Sequence, residues 1–259
     1  MASLIEVKDL SKRYKVTNHW WKKEYKTVLK PLSFKLEAKQ TLAVVGGIGS
    51  GKSVLAKLLV GAARPTTGEI TLNGQHLQTG NFKQRCQHVR MIFQDAGNTL
   101  NPSLTIKQQL EEPLLLNTRL DASERTLMVR KTLQDVGMLA DHMHFYPHMF
   151  SGGQKQRISL ARAIILKPQL VILDEALAAL DLSLRAQMIN LLLDLQEKMG
   201  LAYLLISHDL DIVEHFSDQL IVLRDGEVVE TGSTDQVLKA PKDKYTKKLI
   251  MSQRQRPVI

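Results

Sequence analysis

The chain of 259 residues holds a single cysteine, Cys86. One thiol excludes an internal disulfide and any cysteine-based zinc or iron–sulfur site. Long apolar runs are also missing. The longest candidate, Ile158 to Leu180, is interrupted by Arg162, Lys167-Pro168 and Asp174-Glu175, so no membrane-spanning helix is expected. The first ten residues have no basic region followed by an apolar stretch, which argues against a signal peptide. Internal repeats, low-complexity linkers and nucleic-acid-reading motifs are absent as well. These absences leave a cytosolic protein with one large core and room for a smaller lobe.

Charge is plentiful and unevenly placed. The net charge is +9, yet residues 8–30 and residues 239–256 each carry a local +6, which leaves the remainder mildly acidic. The basic ends suit anionic head groups or nucleic acid, or are solvated termini that aid solubility. Strand and helix patterns alternate through the chain, which points to an α/β protein. Ile5–Leu10, Leu32–Leu36 and Glu69–Leu72 read as strands, with Asn73-Gly74 as a hairpin turn. Thr41–Val45 is a strand running into glycines, followed by an amphipathic helix from Lys52 to Gly61. Val89–Phe93, Leu170–Leu173, Tyr203–Ser207 and Leu220–Leu223 are short and wholly apolar, as strands of a covered parallel sheet are. Asp225-Gly226 turns into a late hairpin. Between Asn98 and Gly152 the pattern is helical, with Pro102, Pro113 and Pro147 as expected breaks. Leu182–Met199 reads as an amphipathic core helix.

Two motifs carry the chemistry. Gly46-Gly47-Ile48-Gly49-Ser50-Gly51-Lys52-Ser53 matches G-x-x-x-x-G-K-[ST]. Glycines let successive amides converge on phosphates, and the following helix adds its positive dipole end. Lys52 brings a full charge to the β/γ oxygens, and the Ser53 hydroxyl suits Mg²⁺. The partner element is Leu170-Val171-Ile172-Leu173-Asp174-Glu175. There a buried strand delivers two carboxylates, Asp174 for the metal and Glu175 for the attacking water. Gln94 and His208 also stand at strand carboxyl ends, where open α/β sheets bind ligands. Gln94 can reach metal and water, and His208 can sense a γ-phosphate. His142, His144 and His148 crowd together, but a metal site needs converging geometry and usually a carboxylate or cysteine nearby, so a helical-lobe surface is the expected reading. Trp20-Trp21 is expected to lie in a loop between two N-terminal strands.

The heptapeptide Ser151-Gly152-Gly153-Gln154-Lys155-Gln156-Arg157, with the upstream phosphate loop, resembles the ATP-binding-cassette (ABC) transporter ATPases. The resemblance spans roughly Ile5 to Leu249 and implies an ABC-type P-loop fold. In that fold a mostly parallel core joins an antiparallel N-terminal β-subdomain and an inserted helical subdomain. It places residues 1–95 and 152–238 in the core, 96–151 in the helical insertion and 239–259 in a basic tail. It also implies that Tyr14 stacks on adenine and that Ser151, Gly152, Gly153, Gln154 and Asp181 serve ATP bound to a second cassette docked head-to-tail. Phe93-Gln94-Asp95, Leu100-Asn101-Pro102, Glu111-Glu112-Pro113-Leu114, Tyr146-Pro147-His148-Met149-Phe150 and Tyr245-Thr246-Lys247-Lys248-Leu249 are similar to the ATPases of dipeptide and oligopeptide importers. The run Asp174-Glu175-Ala176-Leu177-Ala178-Ala179-Leu180-Asp181 looks most like the second ATPase of Sap-type antimicrobial-peptide uptake systems. The implied cofactors are ATP and Mg²⁺. The implied partners are a related ATPase, two membrane permease subunits and a periplasmic peptide-binding protein, with no nucleic acid, at the cytoplasmic face of the bacterial inner membrane. Val54, Ile48 and Ala178 depart from the family pattern without removing a charged group. Two alternatives stay open, a soluble ABC ATPase acting on nucleic acid or ribosomes, and a regulatory subunit with weak turnover.

Overall fold

The computed structural model describes residues 3–19, 22–77, 82–93, 99–178 and 180–254. In chain order the strands are β1 (Ile5–His19), β2 (Lys22–Leu36), β3 (Thr41–Gly46), β4 (Thr67–Leu72), β5 (Gln75–His76), β6 (Val89–Ile92), β7 (Leu170–Asp174), β8 (Ala202–Ile206), β9 (Gln219–Arg224) and β10 (Glu227–Ser233). The helices are α1 (Lys52–Val60), α2 (Phe82–His88), α3 (Ile106–Asn117), α4 (Ala122–Asp135), α5 (Gly152–Ile164), α6 (Leu182–Met199), α7 (Leu210–Phe216), α8 (Thr234–Lys239) and α9 (Lys244–Arg254). They fall into two compact units. One holds the chain up to Phe82 together with everything from Ala202 onward, and the other is Lys83–Leu201.

The first unit contains two kinds of sheet. Around β3 the pairing is parallel on both sides, with Val44 opposite Ile206 of β8 and Ile221 of β9, and β10 closes that edge antiparallel. Every residue of β3 and β8 is buried, which is why these strands read as continuous apolar runs rather than as alternation. Helix α1 lays Leu55, Ala56, Leu58 and Leu59 into this core. Each leucine so buried contributes about 1.5–3 kcal/mol. The second sheet is antiparallel, in the order β2-β1-β4-β5. Both short hairpins have the backbone their sequences demand, with φ of +49° and +75° at Asn73-Gly74 and +50° and +77° at Asp225-Gly226.

The first two strands correct the sequence reading. Instead of stopping at Leu10 and starting at Leu32, β1 and β2 each run 15 residues and pair as far as His19 with Lys22. Pro31 does not end β2, because the register shifts between Leu10 and Lys12 and leaves the proline off the regular ladder. Trp20-Trp21 lies outside the described residues.

In the second unit β6 and β7 pair in parallel, Val89 with Leu170 through Ile92 with Leu173. Helices α3, α4 and α5 pack around Ile106, Leu110, Leu114, Val129, Leu133, Ile158 and Ile164. Capping boxes open α3 at Thr105 and α4 at Asp121. Pro113 is a second correction, since it sits inside α3 rather than breaking it. Its ring is buried, and that burial offsets the one ladder hydrogen bond it cannot donate. The histidine-rich stretch lies at the surface, as expected, with His144 and His148 exposed and His142 half-buried. The His142 ring meets Phe150 edge-on at 5.3 Å, and Tyr146 stacks on His148 at 5.8 Å.

Candidate functional site

The glycine-rich loop joins the end of β3 to the start of α1. Gly46 has φ +153°, and a Cβ there would lie 2.1 Å from the carbonyl oxygen of Leu223 on β9. Only glycine lets the chain leave the sheet so close to its neighbour. Lys52 opens α1 with its side chain only 8 % exposed. Its ammonium donates to the carbonyls of Gly46 at 2.8 Å and Gly47 at 2.9 Å, and to Ser50 Oγ at 3.4 Å. A buried cation satisfied by the carbonyls of its own loop stands at the helix N-terminus, where an anion is favoured. Ser50 is buried beneath the loop, whereas Ile48 is fully exposed at its tip.

His208 comes from the strand beside the loop. Ile206 pairs with Val44, and the Ser207 amide reaches the Val44 carbonyl at 3.4 Å, so the exposed His208 follows at the same sheet end as Gly46. Next to it Asp209 caps α7, accepting from the Asp211 and Ile212 amides. Tyr14 lies on β1 with the Lys12 ammonium 4.8 Å from its ring centroid. Lys12 pairs with Leu29, whose side chain would sit 3.1 Å from a Cβ on Gly51. The aromatic ring is therefore two residues along the strand from the level of the phosphate loop.

The other candidate residues belong to the second unit. Four buried residues of β7 lead to the half-buried Asp174. Glu175 follows with φ +52°, a left-handed backbone that is uncommon for a residue with a side chain and is concentrated at functional sites. The turn is tied by the Ala178 amide on the Glu175 carbonyl at 3.2 Å and by the Gln156 side-chain amide on the Ala176 carbonyl. Ser151 caps α5. Its Oγ accepts from the Gln154 amide at 3.4 Å, and Gln154 Oε1 accepts from the Ser151 amide at 3.0 Å. Asp181 caps α6, accepting from the Leu184 amide at 2.9 Å. A Cβ on Gly153 would meet the Leu184 side chain at 3.1 Å, so the start of α5 and the start of α6 abut at that glycine. Gln94 lies outside the described residues.

Sequence reading missed two contacts that shape these loops. One is the Gln156 bond just described. The other is the Tyr245 hydroxyl, which accepts from the Gly47 amide at 2.8 Å. In the sequence Tyr245 stands out only as part of a tail motif. A partner 198 residues away leaves no local pattern to find.

A family model for the ABC transporter matches residues 29–178. The chain belongs to the ABC transporter family. It is an ATP-binding ABC ATPase. It is 47 % identical over 250 residues to the peptide transport system ATP-binding protein SapF of Salmonella typhimurium, covering 96 % of this chain and 93 % of that one. It is 48 % identical, with the same coverage, to the putrescine export system ATP-binding protein SapF of Escherichia coli K12. Among solved structures it resembles cbiO1 of Clostridium perfringens, part of the ABC transporter complex cbiONQ, with a TM-score of 0.79, 25 % identity and 93 % and 92 % of the two chains covered. It also resembles a dimeric post-hydrolysis state of the ATP-binding cassette MJ0796 bound to ADP and Pi, with a TM-score of 0.75, 26 % identity and coverage of 89 % and 98 %.

Within this ABC ATPase the unusual residues change shape more than charge. Val54 and Ala178 bring no hydroxyl to the start of α1 or to the turn after Glu175, and Ile48 puts an apolar tip on the loop. Among the described residues no helix is long and apolar enough to cross a membrane.

Proposed function

We propose that this chain energises a peptide importer from the cytoplasmic face of the bacterial inner membrane. The observation that carries the reading is the near-full-length likeness to an ATP-binding protein named for peptide transport. In this reading residues 1–95 and 152–238 form the core and 239–259 a basic tail, and residues 96–151 transmit movement to two permease subunits served by a periplasmic peptide-binding protein. Tyr14 stacks on adenine. The amides of Gly46 to Ser53 and Val54 surround the phosphates, and Lys52 neutralises the β and γ oxygens. Glu175 polarises the attacking water, Gln94 helps to orient it, and His208 bonds the γ-phosphate.

Mg²⁺ fits the donors available, because the Ser53 hydroxyl, the Asp174 carboxylate and the Gln94 amide are all oxygen ligands. Bound there, the ion would neutralise charge on the terminal phosphates. Ser151, Gly152, Gly153, Gln154 and Asp181 act on ATP held by a related, non-identical ATPase docked head-to-tail. A dimeric cassette structure with ADP and Pi is among the neighbours that support this arrangement.

Replacing Glu175 with Gln tests the chemistry. With the partner ATPase present, turnover should fall at least about a hundredfold while ATP binding persists. Equal rates would remove Glu175 from the mechanism. A second reading, polyamine export, rests on the name of the Escherichia coli K12 relative. Cells lacking the chain should lose uptake of labelled peptide and regain it with the wild type but not with Glu175→Gln. Loss of putrescine release instead would favour the second reading.

A further inference from the structure

We propose that Tyr245 is a positioning residue for nucleotide binding, holding the Gly46–Gly47 peptide plane on which Lys52 rests. The inference depends on the reading of Gly46–Ser53 as the loop that grips ATP. That peptide plane is held at both ends. Its carbonyl accepts from the Lys52 ammonium at 2.8 Å, and its amide donates to the Tyr245 hydroxyl at 2.8 Å. The Gly47 carbonyl, one unit further, accepts from Lys52 at 2.9 Å and from the Ser50 amide at 3.3 Å. Neither glycine has a side chain to fix the plane by packing, so the hydrogen bonds must do it. If the plane turned, Lys52 would lose an acceptor and the Gly47 amide its partner.

The hydroxyl is itself held in place. Tyr245 lies in the first turn of α9, and its amide donates to Asp243 Oδ1 at 2.7 Å. The Glu230 carboxylate on β10 takes the amides of Lys242 at 2.7 Å and Asp243 at 3.1 Å. The Arg224 guanidinium stands 5.2 Å over the tyrosine ring, one residue after the Leu223 carbonyl that crowds Gly46. Sheet edge, tail and phosphate loop thus converge on one phenol oxygen. Phenylalanine would keep the ring and its cation contact. Only the hydroxyl reaches the loop.

The test compares Tyr245→Phe, Tyr245→Leu and Lys52→Ala in the full chain with its partner ATPase, using a fluorescent ATP analogue, steady-state kinetics and thermal unfolding. Loss of one neutral hydrogen bond predicts that Tyr245→Phe raises Kd and KM for ATP about fivefold. Its kcat should stay within about twofold, and its melting temperature within about 2–4 °C. Hydrogen exchange at the Gly47 amide should quicken. If Tyr245→Phe binds like the wild type and only Tyr245→Leu is impaired, the residue merely packs and the proposal falls. A larger melting shift, or a fall in kcat without a change in KM, also overturns it. Lys52→Ala separates the two readings. If that variant binds ATP normally, the loop reading itself has failed. If it loses binding while Tyr245→Phe is unaffected, only the role of Tyr245 has failed.

Discussion

At Gly46 a turn of the chain, a close backbone neighbour and a hydrogen bond to the loop lysine all meet. Its φ of +153° and the 2.1 Å approach of the Leu223 carbonyl to any added Cβ cannot be relieved by rotating a side chain, because the obstacle is backbone. Gly46→Ala is therefore expected to destabilise the protein by about 2–4 kcal/mol and to weaken ATP binding more than tenfold. Urea unfolding and nucleotide titration would check both. Lys52, Asp174 and Ser151 can be picked out in the sequence because each sits within its own short motif of fixed spacing. The left-handed backbone of Glu175 and the Tyr245 contact were not. The first is imposed by the turn that Gln156 helps to tie, and the second joins segments that touch only after folding.

Among the elements, the buried strands and α6 were predicted to within a residue or two, since apolar runs and helical periodicity leave strong traces. The outer hairpin was not. Arg13-Tyr14-Lys15-Val16 alternates, but all four residues are exposed and too few to mark a strand by themselves, and pairing with β2 carries β1 onward. Proline also misled at Pro113, where a buried ring makes the break unnecessary. Helix caps give a prediction at this scale. Ser151 and Asp121 make the same kind of capping box, but only Ser151 stands in the signature segment. Ser151→Ala should cost about 1 kcal/mol of stability and also lower ATP turnover with the partner. Asp121→Ala should lower the melting temperature modestly and leave turnover per folded molecule unchanged. Calorimetry beside a phosphate-release assay distinguishes them.

For the whole molecule, the tail is joined to the sheet by an acid. Partial burial would raise the proton affinity of Glu230, but hydrogen bonds from the Lys242 and Asp243 amides help to outweigh it and hold the carboxyl below its ordinary value of 4.5. A lowered value in the folded state means that the contribution is complete above 4.5 and fades as pH falls through the folded value. Wild type should melt above Glu230→Gln at pH 7, and the two curves should converge as the pH drops well below 4.5. Thermal unfolding across that range measures it. A constant gap at all pH values would mean that the carboxylate charge is not what holds the tail.

The tip of the β9–β10 hairpin has a consequence for anyone altering this protein. The Gly226 amide bonds the Ser50 carbonyl at 3.1 Å, its own carbonyl takes the Lys30 amide at 2.7 Å, and a Cβ on it would strike the Val28 carbonyl at 2.5 Å. Surface reversals of this type are where epitope tags and spliced domains are usually placed. Here that choice would drive a wedge between three distant stretches of sequence. The most inviting insertion point on paper is one of the least forgiving in the folded chain.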